Sequence, residues 1–191
     1  MESPLFSVDL LASPQAYAAG EAVFAIEPDG CVIRSAVVTA AAASGDERVN
    51  VRYCVPANVM DLFGSATHSL YGWSQTGIDE AVPRGHAHPM TEFEAPASPD
   101  GTLAAGTIVL LLRREFFRVT LAALAESVPP GAAPGDRFET RALAVDPSGR
   151  FLAASAPPVP TERVKFVLVT RFREALGAPA DPAPQGASAS R

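Results

Sequence analysis

GTIVLLLRREFFRVTLAALAESV, residues 106–128, is the most apolar run of the 191-residue chain, and its reading decides the fold. Residues 107–112 carry no charge, so neither side of that segment can face water and other elements must cover both. Arg113, Arg114 and Glu115 divide the run into two buried segments. The second is ambiguous on periodicity alone. Phe117, Val119, Leu121 and Ala123 alternate with Arg118, Thr120 and Ala122 as a strand would, yet Phe117, Leu121 and Leu124 also satisfy helical spacing. Mostly β-like neighbours, and the lack of a capping residue ahead of Phe116, favour a strand.

Outward from this run the pattern is one of short alternating segments. Residues 21–27 place Val23 and Ala25 on one side and Phe24 and Ile26 on the other. Pro28-Asp29-Gly30 then supplies a turn, and the β-branched run 31–40 returns, so 21–40 is a hairpin. In 48–55, Val49, Val51, Tyr53 and Val55 share one face of a half-buried strand, and Arg48, Asn50, Arg52 and Cys54 the other. Asn58 is positioned to cap a short helix closed by Gly64. On the other side, Asp146-Pro147-Ser148-Gly149 is the strongest hairpin signal in the chain. Residues 163–172 alternate again and are expected as a strand beside the central one. Each half holds a hairpin with a proline-containing turn, at Pro28 and Pro147, and no repeat period is visible beyond that.

These segments predict a mainly β protein, a single-domain barrel or two-sheet sandwich with one or two short helices, spanning residues 1–176. Residues 65–101 form a long irregular excursion. Residues 177–191, rich in proline and small side chains without an aliphatic anchor, form a disordered tail.

The formal charge is −6 and the arginines are scattered, so there is no basic footprint for nucleic acid. Lys165 is the only lysine among 15 basic residues, a bias that with abundant Ala, Pro and Gly points to a GC-rich genome, bacterial or of a large DNA virus. No apolar stretch reaches the roughly 20 residues of a membrane span, and the first ten residues lack the pattern of a secretory signal. An intracellular, soluble protein with Cys31 and Cys54 as buried thiols is expected.

The excursion holds all three histidines and the only tryptophan. Its sharpest constellation is Gly85-His86-Ala87-His88 followed by Glu92 and Glu94. On a strand His86 and His88 would project to one face, and Glu92 could complete a mixed nitrogen and oxygen set for one divalent transition metal. The spacing resembles the first metal motif of the cupin family, which implies a small β-barrel with His86, His88 and Glu92 as ligands. The second cupin motif departs: Pro129-Pro130-Gly131 matches its front, but Pro134 stands where its histidine belongs, and Glu80 replaces the glycine ahead of the first motif. Leu70, Tyr71 and Trp73 form an aromatic cluster suited to a protein interface. No phosphate-binding glycine loop and no nucleophile elbow occurs.

The sequence therefore leans away from an enzyme and toward an accessory or structural protein without a cofactor, acting through a protein partner or a second copy of itself. A cupin-like metal or small-molecule site is the alternative. A virion structural or tegument component is a weaker one.

Overall fold

The computed structural model describes residues 16–27, 31–54, 79–96, 98–111, 118–152 and 157–177. Two curled antiparallel sheets form two half-barrels. The first contains β1 (Ala22–Glu27), β2 (Val32–Val38), β3 (Arg48–Tyr53), β4 (Glu80–Pro83) and β5 (Ala87–Pro89), in the order β4-β3-β2-β1-β5. The second contains β6 (Ile108–Leu111), β7 (Thr120–Leu124), β8 (Arg137–Ala142), β11 (Val159–Glu162) and β12 (Phe166–Leu168), in the order β11-β8-β7-β6-β12. A small hairpin of β9 (Ala144–Val145) and β10 (Phe151–Leu152) stands apart, and helix α1 (Val169–Gly177) follows β12. Single 3-10 turns occupy Arg84–His86, Met90–Phe93 and Arg163–Lys165.

The central run is two strands, β6 and β7, paired antiparallel with Leu110 opposite Leu121. Both faces are covered, as an uncharged segment requires. Ile108, Leu110, Leu121 and Ala123 face a core shared by the two sheets, while Val109, Ala122 and Leu124 fill the hollow of the second half-barrel. The β1–β2 hairpin and the face of β3 carrying Val49, Val51 and Tyr53 are likewise as the alternation predicts. The segments 5–11 and 58–64, the joint at 113–115 and the tail 178–191 lie outside the described residues.

Two expectations are corrected. The strand expected over 163–172 is a strand only at Phe166–Leu168; the chain then turns into α1, where Val169, Phe172 and Leu176 share the inner helical face. Second, part of the excursion expected to be irregular is ordered sheet, because β4 and β5 lie inside it. Their prolines obscured them. Both are edge strands, where proline is tolerated. Arg84 N–H donates to the Glu47 carbonyl across the pair, so Pro83, one residue earlier, turns its nitrogen to the solvent side. Pro160 has the same outward placement on β11, since Arg163 N–H donates to the Asp136 carbonyl. Both outer edges are thus blunted against further strand pairing.

The two sheets are the same unit built twice. Their strand orders correspond one for one, and so does the register. Val23 pairs with Ala36 and Pro89 on its two sides, as Val109 pairs with Ala122 and Leu168; Arg48 pairs with Pro83 as Arg137 pairs with Glu162. The entrances match as well. Ala18-Ala19-Gly20 and Ala104-Ala105-Gly106 each lead into the first strand, with a glycine at φ 87° or 89° whose N–H bonds the carbonyl of Val38 or Leu124. Just before them the bridge Tyr17–Ala42 corresponds to Leu103–Val128. Three buried clusters follow from this arrangement. One fills each half-barrel, with Val23, Ala36 and Val38 in the first matched by Val109, Ala122 and Leu124 in the second. The third joins the halves, with Phe24, Met90 and Phe93 from one side and Leu110, Val169 and Phe172 from the other.

Candidate functional site

The segment following β4 joins the two halves, and it contains the histidines singled out by sequence. It is anchored by Arg84. The Arg84 Nε donates to the Asp46 carbonyl at 2.5 Å, and the guanidinium lies 5.2 Å from the centre of the Tyr17 ring. Tyr17 in turn donates its hydroxyl to the Ala87 carbonyl at 2.7 Å. Burial pushes the Tyr17 phenol up to about 12, so it remains a donor.

His86 closes the 3-10 turn and is not on a strand, so the same-face rule for residues two apart does not apply to it and His88. Its Nδ1 lies 3.1 Å from the Ile26 carbonyl, and His88 Nε2 lies 2.7 Å from the Gly149 carbonyl. A carbonyl only accepts, so each of these nitrogens carries the proton. Both residues are buried, and His88 Nδ1 sits inside the packing with no hydrogen-bond partner among the described residues. The His88 ring lies 5.0 Å from that of Phe151, and Phe151 lies 5.1 Å from Phe93, all edge to face. Burial holds the His88 pKa below the ordinary histidine value; the Gly149 and Gly85 carbonyls act in the opposite direction and do not overcome it.

What seats against these imidazoles is the turn predicted at 146–149. Asp146 organises it, accepting from the N–H groups of Ser148 and Arg150 at 2.9 and 3.0 Å. The Ser148 hydroxyl first, then the Arg150 N–H, bring the Asp146 carboxyl down to about 2. Gly149 is required on two counts. Its φ is 85°, and a Cβ there would stand 2.4 Å from the Gly85 carbonyl oxygen and 2.8 Å from His86 Cδ2.

Glu92 lies on the exposed side of the next 3-10 turn, away from the imidazoles' packing. The structure does not gather His86, His88 and Glu92 into a metal-binding set: among the described residues no group of three His, Cys, Asp or Glu could hold an ion. Instead Glu92 borders a separate concavity of about 690 Å³, floored by Phe93, Leu103 and Ile108 and rimmed by Glu92, Glu94 and Asp100. Partial desolvation, then the neighbouring Glu21, raise the Glu92 carboxyl above its usual range. Glu94 has a cation of its own, forming a two-pronged ion pair with Arg173 of α1.

The other residues singled out by sequence are dispersed. Leu70, Tyr71 and Trp73, the expected contact residues, lie outside the described residues, as does His68. Cys31 and Cys54 are both free thiols. Cys54 neighbours Ser35, whose hydroxyl donates to its carbonyl, and burial pushes its thiol up to about 12, which leaves it unreactive at neutral pH. Sequence reasoning passed over Arg84 and Arg173, and read Gly149 only as a turn residue. A signal for Arg173 was present in Thr91-Glu92-Phe93-Glu94 and Thr170-Arg171-Phe172-Arg173, which occupy equivalent places after β5 and β12. Comparison with protein-family models, with characterised proteins and with solved structures finds no match to this chain.

Proposed function

We propose that this protein is a non-catalytic accessory or structural protein that works through protein contacts. The observation that carries the reading is the use to which the reactive-looking side chains are put. His86 commits a ring nitrogen to the Ile26 carbonyl of its own half, and His88 commits one to the Gly149 carbonyl of the other half. In that arrangement they serve architecture, as buried hydrogen-bonded groups commonly do. The separate concavity beside Glu92, with an apolar floor and a rim of carboxylates, has the composition of a contact surface, an apolar centre bordered by polar groups. Isolation of the full chain from its native cells, followed by size measurement and identification of what accompanies it, tests the proposal. A stable complex, with itself or another protein, is expected. A lone monomer that co-isolates with nothing would remove the support.

A further inference from the structure

The repeated unit carries a charge complementarity that the fold uses only in part. Thr91-Glu92-Phe93-Glu94 and Thr170-Arg171-Phe172-Arg173 follow the equivalent strands β5 and β12, and Phe93 and Phe172 both enter the core between the halves. Where the first half has Glu-Phe-Glu, the second has Arg-Phe-Arg. The inner charges, Glu94 and Arg173, meet each other. Equivalent residues of the two units thus touch, and the contact ties the Met90–Phe93 turn to α1. The outer charges, Glu92 and Arg171, each lie two residues before a member of that pair and so flank it on the two elements it ties together. They do not pair with each other within the chain. Among the described residues Glu92 faces a second carboxylate, Glu21, with no cation against it, and borders the concavity floored by Phe93. Arg171 forms its ion pair with Glu174 of its own helix, at 3.7 Å with both side chains more than half exposed (59% and 57%), a weak surface pair.

A face with one negative and one positive group flanking a shared contact complements itself. Turned over about an axis in the plane of the face, a second copy sets its Arg171 opposite Glu92 and its Glu92 opposite Arg171, the reciprocal contact of a twofold dimer. The cation needed is already defined by the chain: a helix-borne guanidinium, the group that satisfies Glu94 internally. The concavity beside Glu92 gives such a group a recess in which to approach.

We propose that two copies of this chain associate through this end of the molecule, Glu92 of each copy paired with Arg171 of the other. The inference rests on the protein-contact reading and names its partner. Sedimentation equilibrium of the full chain tests it in low and high salt, with Glu92→Arg, Arg171→Glu and the double reversal. A dimer at low salt is expected, weakened by added salt. Each single reversal sets like charges together at both reciprocal contacts and should weaken association by about tenfold or more, and the double reversal should restore it. Both side chains are on the surface, and circular dichroism checks that each variant is folded. Glu92→Gln and Arg171→Gln, which remove charge without reversing it, should each weaken the dimer by a smaller factor. A parent protein that stays monomeric to about 100 µM, single reversals that associate as the parent does, or a double reversal that fails to restore would each overturn the inference. A monomer that is nonetheless isolated in a complex with a different protein would overturn it while leaving the broader reading intact.

Discussion

At the same position in the fold, the two halves are treated differently. After its fourth strand each half makes a 3-10 turn that starts with an arginine, Arg84 or Arg163, whose N–H reaches back to a carbonyl at the start of the third strand. In the first half that turn is covered. Gly85 and His86 lie under Gly149, and His88 donates to its carbonyl. In the second half the corresponding residues are Val164, Lys165 and Val167, and Val164 is 40% exposed. The second half is a control built into the molecule: the same turn and the same strand form without any imidazole. The histidines are therefore not demanded by the half-barrel. They answer to the hairpin that seats on one copy of it.

The largest effect that separates the halves is expected at Gly149. Gly149→Ala must take a side chain at φ 85° and also push back the Gly85 carbonyl oxygen, which would lie 2.4 Å from the new Cβ. A loss of more than about 3 kcal/mol is expected. Gly131 in the second half has a similar φ of 77°, but nothing lies within 4 Å of where its Cβ would stand. Gly131→Ala should cost only the left-handed penalty, about 1–2 kcal/mol. Urea unfolding of the two variants measures the difference. Equal losses would show that crowding against Gly85 and His86 contributes nothing.

A smaller effect should appear in the pH dependence. The native His88 pKa is held below its unfolded value, so at pH below about 6.5 the unfolded chain binds a proton that the native protein does not. Stability is therefore full above about pH 6.5 and declines as pH falls through the native pKa, each unit of depression accounting for about 1.4 kcal/mol. His88→Val installs the residue that the second half carries at Val167. It should cost about 1–3 kcal/mol at pH 8, because the Gly149 carbonyl loses its donor, and it should flatten the decline in stability that begins below about pH 6.5. Carboxylates such as Asp146, lowered to about 2, act at more acidic pH and are common to both proteins. Parallel profiles for parent and variant would show that His88 is not the sensor.

Much of the scaffold was legible because burial imposes period two on strands. β1 and β3 follow from alternation, β2 from its β-branched residues, β7 from its β-like neighbours where periodicity left it open, and the turn at 146–149 from its residues. The duplication was hidden for two physical reasons. The halves diverge even among the residues that fill their hollows, Ala87 against Phe166 and Val49 against Phe138, since a core needs volume and pattern more than identity. The connections between the third and fourth strands also differ, residues 54–79 in one half and 143–158 in the other, and the difference breaks any fixed period. The two prolines that suggested a matching hairpin misled, because the hairpin at Pro147 is an addition between β8 and β11 with no role in the repeat. At the site, His86 and His88 stood out in the sequence as a pair. Their role was out of reach because the groups that bury them, Gly149 and Phe151, come from the other half of the chain.

The smallest expected effect tests the equivalence itself. Glu94 and Arg173 occupy the same place in the two units and bond each other, with side chains 20% and 38% exposed. A partly screened pair of this kind contributes about 1 kcal/mol. Glu94→Arg should destabilise by about 1–2 kcal/mol, since it sets two guanidiniums together, and so should Arg173→Glu, which sets two carboxylates together. If the positions are related by a twofold, exchanging the residues reproduces the same pair seen from the other side. The double variant Glu94→Arg with Arg173→Glu should then recover to within about 0.5 kcal/mol of the parent in thermal unfolding, a coupling that a double-mutant cycle isolates. Failure to recover would mean that the surroundings of the two positions differ more than their backbones, and that the likeness of the halves stops at the strands.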